Sequence, residues 1–370
     1  MSWLGLWHRS DAGIGQVFDS AGLSESGARG CLLLHEANAL LARGTLMFEL
    51  CLPETDAGAP LLLFERGGDW PLRLMISAAP QGGIEVHLDQ YGHLLHHILT
   101  PLREARGRRL RLTLFWDAPA FRGHLALEHP GDHRAQIVEI EAPRPWRLAD
   151  LEALLSGAPD NHLSDDLEMI ALSDMQEPVG VMPGLAPETL METERGPRPM
   201  AHLRRGDLLR GASGDLMPVL HVLRRQVPAF GSFAPVRLRA PGLGLRADLR
   251  LAPHQRVEFT GAEVEYHFGR EAVLAPAEAL CATRLAQYDS APEVLATYMQ
   301  VILPTQEVVR TAAGLGVETQ FLGRLRRDRC GLAASLLADV NRNDLPEHAG
   351  STAPVLRAFD AAVLMEPRSA

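Results

Sequence analysis

Through its first half the chain alternates short apolar-rich runs with turn residues at a nearly even spacing. Gly44–Pro53, Ala59–Gly68, Pro71–Pro80 and Gly83–Gly92 follow one another closely, and Arg108–Asp117, Gly123–Pro130 and Ala135–Pro143 continue the series. Within Arg109–Leu114 (Arg-Leu-Arg-Leu-Thr-Leu) polar and apolar positions alternate strictly, which puts the leucines on one face of a strand. Gly, Pro and Asp punctuate the ends of the runs. Short period-two strands in close succession predict an all-β sandwich rather than a fold of alternating strands and helices.

One helix interrupts the series, over Arg147–Gly157, with Leu148, Leu151 and Leu155 on one face and Gly157 as its stop. Ser164–Asp174 predicts a last strand returning to the sheet. The Pro/Gly-rich stretch Met175–Gly184 then predicts a domain boundary. Strand-like runs resume after it. Thr352–Met365 predicts a C-terminal helix, with Pro354 in the first turn and Leu356, Phe359 and Val363 on one face.

At 370 residues the chain can hold two separate cores. A net charge of −10 argues against non-specific nucleic-acid binding. The one strongly basic run, Arg324–Arg329, reads as a solvated face. All 36 basic residues are Arg, which excludes Schiff-base lysines, Ser–Lys pairs and P-loop lysines. Cys31, Cys51, Cys281 and Cys330 form no zinc-ligand spacing. They read as free, mostly buried thiols, with a Cys31–Cys51 bridge as the alternative in an exported protein. Met1–Gly13 lacks the segments of a secretory signal, and no apolar run is of membrane-spanning length. Synthesis in the cytoplasm, leaderless export or incorporation into a surface or phage-like particle all fit.

The strand rhythm of residues 1–178, with Gly44–Pro53 as an early strand and Arg108–Asp117 as a middle one, resembles the concanavalin-like, laminin-G-like jelly roll. That resemblance implies ligand binding, of glycans above all, through loops or a concave face.

The second half carries ordered motifs: Gly184–Met191 (GLAPETLM), Arg198–Leu209, Met217–Ala229, Ala234–Gly244, Leu249–Phe259 and Glu271–Leu280. In that order they resemble the bacterial Hedgehog/intein (Hint) domain, over residues 184–325. The resemblance implies a pseudo-twofold β horseshoe, followed here by a short helical tail, 326–370. It also implies a chemistry, in which the domain's first side chain attacks the preceding carbonyl, a histidine protonates the leaving nitrogen, and a Ser or Thr three residues earlier orients the bond.

This chain departs from that pattern at four positions. Gly184 stands where the nucleophile belongs, Ala252 at the Ser/Thr, Gln255 at the histidine and Gln306 at a second, downstream histidine. Glutamine does not titrate near neutrality and is no general acid. His254 lies one residue early, and in a strand that offset turns it to the opposite face. The four together predict a domain without self-cleavage and no catalytic residue.

Outside the Hint-like half, Asp69–Trp70 and Trp116–Asp117 each place an aromatic beside a carboxylate near a strand end. Such pairs can stack a sugar and hold hydroxyls or Ca²⁺, though a core tryptophan beside a turn Asp is the plainer alternative. His87, His93, His96 and His97 crowd one predicted hairpin, which could bring His87 near His93 for zinc or copper. We take them as incidental and expect no metal site. Glu139 and Glu141 have the i, i+2 spacing of a glycosidase strand, without flanking aromatics. The expectation is a non-catalytic binding or assembly protein, its partners a glycan or surface polysaccharide, a protein assembly, or both. Residual processing at Gly184 and glycoside hydrolysis are the alternatives.

Overall fold

The structure, a computed structural model, describes residues 3–10, 13–23, 39–53, 58, 60–80, 82–102, 107–157, 161–289 and 293–365. Cys31 and a Cys31–Cys51 bridge lie outside these. The chain forms two compact units, Met1–Gly180 and Val181–Ala370.

The first unit is built from β1 (Trp3–Ser10), β2 (Gly13–Phe18), β3 (Leu40–Leu41), β4 (Arg43–Cys51), β5 (Pro60–Arg66), β6 (Leu72–Ala78), β7 (Ile84–Gln90), β8 (His93–Leu99), β9 (Arg109–Asp117), β10 (Arg122–Glu128), β11 (Gln136–Glu141), β12 (Trp146–Arg147), α1 (Leu148–Leu155), β13 (His162–Leu163) and β14 (Leu167–Ser173). Two antiparallel sheets make a jelly-roll sandwich, in the orders β11-β10-β9-β4-β14-β1-β2 and β13-β5-β6-β7-β8. The alternation read at Arg109–Leu114 sets which face is inside. Leu46, Phe48 and Leu50 of β4 and Leu110, Leu112 and Leu114 of β9 join Leu62, Phe64, Leu74, Ile76 and Val86 in one core. Strands β1 and β2, not anticipated from the sequence, extend the larger sheet beyond β14.

The opposite face of β4 and β9 is also buried and carries charge. Arg111 donates to Glu49 through Nε (3.1 Å) and Nη2 (3.0 Å) and to Glu128 through Nη1 (3.0 Å). The stretch after β14 is anchored to these strands. Thr45 Oγ1 donates to the Met175 carbonyl at 2.6 Å and accepts from Glu177 N–H at 3.0 Å, and Gly180 N–H donates to Glu128 at 2.6 Å. The predicted boundary region is therefore fixed structure up to Gly180. That residue has φ +79°, and a β-carbon there would meet the His133 carbonyl at 3.0 Å, so glycine alone suits the exit.

The second unit contains β15 (Leu190–Thr193), β16 (Gly196–Pro199), β17 (Leu208–Arg210), β18 (Leu216–Pro218), β19 (His221–Pro228), β20 (Val236–Leu238), β21 (Leu249–Leu251), β22 (Arg256–Thr260), α2 (Ala262–Phe268), β23 (Ala272–Pro276), β24 (Ala286–Tyr288), β25 (Leu295–Ile302), β26 (Val308–Arg310), β27 (Gly316–Glu318), α3 (Arg329–Ala333) and α4 (Ala358–Met365). The long pair β19–β25 runs in register from His221↔Ile302 to Pro228↔Leu295. Two four-stranded sheets, β16-β15-β17-β18 and β23-β22-β27-β26, each end in a hairpin of the same form. In one, Gly211 N–H bonds Asp215 O and Gly214 N–H bonds Gly211 O; in the other, Thr311 N–H bonds Leu315 O and Gly314 N–H bonds Thr311 O. Both turns need glycine at the same place, Gly214 at φ +93° and Gly314 at φ +101°. The two hairpins lie one hundred residues apart in the chain, an internal repeat that matches the expected pseudo-twofold form.

Residues after 325 are integral to this unit. Leu332, Leu337 and Leu345 share a cluster with Val181, Leu223 and Ile302, and Leu356, Ala361, Leu364 and Met365 enter the main core. The C-terminal helix covers Ala358–Met365, shorter than predicted, and its buried residues are Ala361, Leu364 and Met365. Phe359 is 77% exposed, so the inward face is not the one read from Phe359 and Val363. The Arg324–Arg329 run is engaged as well, with Arg326 and Arg327 both on Glu347. Of the thiols, Cys51 and Cys281 are half-buried and Cys330 is exposed, against the expectation of buried cysteines.

Candidate functional site

The entry to the second unit is threaded between two strands. Leu185 N–H donates to Met299 O at 2.9 Å and Met299 N–H returns a bond to Leu185 O at 2.7 Å. On the other side Ala186 N–H reaches Arg250 O and Ala252 N–H reaches Gly184 O at 2.8 Å. Val181 through Ala186 are all buried. These bonds fix the backbone around Pro183–Gly184, so the question becomes what side chains surround it.

Three of the four substituted positions meet there. Gln255 fills the place beside Gly184: a β-carbon on Gly184 would overlap its Oε1 and lie 2.9 Å from its Cβ and 3.1 Å from its Cδ. Gln255 is in turn fixed on every side. Its Nε2 donates to Glu318 O (2.9 Å) and Arg256 O (3.0 Å), and its Oε1 accepts from Gln300 Nε2 at 2.8 Å. Gln300 also donates to Glu318 O at 3.2 Å and accepts from Val301 N–H at 2.9 Å. A buried amide pair with all these bonds made is a rigid plug. Gln306 is elsewhere on its loop, donating to Thr319 O at 2.9 Å.

Gln300 was not singled out from the sequence. Its signal is a buried amide side chain in the mostly apolar strand run Leu295–Ile302, where Thr297 is the other small polar residue. Glu318 completes the surround, accepting from Arg256 Nη1 at 3.0 Å and from Ser351 Oγ at 2.6 Å.

His254 corrects the strand-parity argument. Gln255 N–H bonds Ala252 O at 3.0 Å, so Ala252–Gln255 is a turn between β21 and β22, and alternation does not apply to it. The ring does face the junction, with Nε2 3.1 Å from Met182 O. It meets the carbonyl one residue before Pro183, and Gly184 offers it no nucleophile to serve.

In the first unit the paired aromatic–carboxylate motifs separate. Trp116 is 1% exposed, packs 5.7 Å from Trp146 and donates its Nε1–H to Leu41 O at 3.0 Å. It is a core tryptophan and presents no face for stacking. Asp117 beside it serves the β9–β10 turn, accepting from Ala120 N–H and Arg122. Trp70 and Asp69 instead line a cavity of about 750 Å³ together with Glu65, Arg66, Leu40 and Arg147. Trp70 is half-buried and stacks on Tyr91 at 5.7 Å. Buried Asp150 orients both guanidinium groups, Arg147 at 2.9 Å and Arg66 at 3.5 Å, and Arg147 Nη2 also donates to Trp70 O. Charge of both signs thus borders one aromatic wall. Asp117 does not line this cavity, whose carboxylates are Asp69 and Glu65.

The histidine hairpin exists, in a different register. His87 faces His96, and His93 faces Gln90. Glu139 and Glu141 are exposed on the edge strand β11, opposite His124 and Arg122.

Residues 183–324 match the family model of the Hint domain, so the C-terminal unit carries a Hint domain. Among solved structures the chain is similar to a splice-inactive variant of the AceL NrdHF class 3 split intein (12% identity, 38% of this chain and 98% of that one, TM-score 0.25). It is also similar to the heptameric SAP-like pentraxin of Limulus polyphemus (9% identity, 36% and 52% of the chains, TM-score 0.22) and to sheep galectin-11 (10% identity, 36% and 82%, TM-score 0.20). The match spans about half of the pentraxin chain. No curated protein sequence matches. No helix among the described residues is long and apolar enough to cross a membrane.

Proposed function

We propose that this is a non-cleaving Hint protein, whose C-terminal unit has become a scaffold and whose N-terminal sandwich binds a glycan beside Trp70. The observation that carries the first part is the seat of Gln255, whose side chain takes the volume a nucleophile at position 184 needs. The absence of a titrating group at Gln255 and of a hydroxyl at Ala252 supports the same reading. Trp70, stacked on Tyr91 and lining the cavity with Arg66, Asp69 and Arg147, supports the second part, since a sugar ring offers an apolar face and a rim of hydroxyls.

One observation favours a second reading. His254 points at the junction backbone, so slow cleavage at Pro183–Gly184 is the competing activity. Intact-mass measurement of the full chain after prolonged incubation, with and without added thiol, separates the two. A single uncut mass is expected, and a fragment beginning at Gly184 overturns the proposal. For the ligand, the full chain and its Trp70→Ala variant are applied to an array of glycans and lipopolysaccharides. Binding that Trp70→Ala abolishes is expected. A blank array moves the sandwich from glycan recognition to assembly with proteins.

A further inference from the structure

We propose that Glu85, His87 and His96 form a surface site for a divalent transition-metal ion, Zn²⁺ or Cu²⁺, on the outer face of the β7–β8 hairpin. The register makes the site. His87 and His96 are directly opposed across the antiparallel pair, where side chains on one face stand close together. Glu85 lies two residues before His87 on the same strand and so on the same face. Val86 and Leu88, between and after them, point into the core and pin that face outward.

The donor atoms already converge. Glu85 Oε1 is 3.2 Å from His87 Nε2 and 2.8 Å from His96 Nε2, and all three ligand atoms lie within 4.8 Å of one another. The two imidazoles stack with centroids 3.9 Å apart. Zinc bonds to nitrogen and oxygen run ~2.0–2.2 Å, which sets neighbouring donors of a tetrahedral ion ~3.3 Å apart. The two His–Glu contacts therefore need to open by only a few tenths of an ångström, and the ion would replace two hydrogen bonds by three coordinate bonds.

The chemistry of the set fits a borderline ion. Two imidazoles and one carboxylate suit Zn²⁺ and Cu²⁺, whereas Ca²⁺ and Mg²⁺ prefer all-oxygen shells. The side chains remain partly exposed, 28% for Glu85, 34% for His87 and 43% for His96, which leaves outward coordination positions for water or an added ligand. Core burial does not explain these three residues, since none supports the packing beneath them.

The test is a Zn²⁺ titration of the full chain against a chromophoric chelator at neutral pH, comparing wild type with His96→Gln and Glu85→Gln. Wild type is expected to bind one equivalent that each variant holds at least about tenfold more weakly. The Cu²⁺-loaded protein should show an electron paramagnetic resonance pattern of two nitrogen ligands, reduced to one in His96→Gln. Equal Zn²⁺ binding by wild type and variants would place the metal on other histidines and overturn the site, as would no binding by wild type. His96 is exposed, so its variant should melt as wild type does without metal; should it not, Glu85→Gln carries the comparison.

Discussion

Gln255 stands in the space that a side chain on Gly184 would occupy. The two residues are 71 positions apart in the chain and are brought together because β21 turns into β22 against the strand-like entry segment. A small residue at 184 and a large amide at 255 are complementary, so each explains the other. A glycine at 184 beside a small residue at 255 would leave a pocket; here that space is filled and its polar atoms are bonded.

The first prediction follows from that complementarity. Gly184→Ala forces Gln255 to move and should destabilise the protein by ~1–3 kcal/mol, the usual cost of overpacking. Gln255→Ala should cost a similar amount by leaving amide partners unpaired. The double variant should be more stable than the sum of the two, by ~1 kcal/mol or more, because the overlap is gone. Chemical denaturation of the four proteins measures this, and strict additivity would show that the two side-chain positions do not compete.

Cysteine at the junction should not by itself restore cleavage. In Gly184→Cys the thiol enters a site with no titrating partner at 255 and must displace the Gln255–Gln300 pair. The expected mass after long incubation is that of the intact variant. Cleavage by Gly184→Cys would mean that His254, or another group, supplies the proton.

A third prediction concerns Gln300. Its amide donates to both Gln255 Oε1 and Glu318 O. Gln300→Leu keeps the volume but strands Gln255 Oε1 and the Val301 N–H, while Glu318 O keeps its bond from Gln255, at a cost of ~1–3 kcal/mol. Gln300→Glu should be worse, because it sets a carboxylate against two carbonyl-type oxygens. Melting temperatures should fall in the order wild type, Gln300→Leu, Gln300→Glu; equal values for the two variants would remove the hydrogen-bond argument.

Periodicity made the sandwich legible, because its alternation is set by one buried face per strand: the runs at Gly44–Pro53 and Arg108–Asp117 became β4 and β9. Strict alternation also misleads there, since Arg111 and Glu49 on the other face are buried too, and nothing local distinguishes a charged position facing water from one facing a buried partner. Likewise Trp70 and Trp116 have similar neighbours in sequence. Only the third dimension puts one on a cavity and the other in the core. The Hint domain was legible through ordered motifs, and its repeat lies in plain view at Leu208–Gly214 and Val308–Gly314. Strand parity fails for His254 because Ala252–Gln255, which contains Pro253, is a turn. The His87–His96 pairing depended on a hairpin register that composition does not specify.

The buried triad of the sandwich gives a fourth prediction. Arg111 is 3% exposed and pairs with both Glu49 and Glu128. Arg111→Ala leaves two carboxylates in a dry site and should cost ~3–5 kcal/mol. Removing all three charges together, with Arg111→Met, Glu49→Leu and Glu128→Gln, should recover most of that loss. Urea denaturation compares them, and a mild effect of Arg111→Ala alone would mean that water reaches the carboxylates.

The pH dependence should expose His124. It is 7% exposed, lies against Phe115 with ring centroids 5.1 Å apart, and its Nε2 has no hydrogen-bond partner. Burial first, and then the charge of Arg122, lower its pKa to about 4. The folded protein therefore holds the ring neutral, while the unfolded chain takes up a proton near the ordinary value of ~6.5. Between these values the unfolded state binds more protons, so stability falls as pH is lowered from about 6.5 to about 4. Fully developed, the loss is on the order of 3 kcal/mol. His8 and His348, also lowered by burial, add in the same direction. His124→Phe removes one of these three contributions and keeps an aromatic against Phe115. Its stability should therefore decline less steeply than that of wild type between pH 6.5 and pH 4. Parallel curves for the two proteins would show that His124 takes its proton in the folded state without penalty.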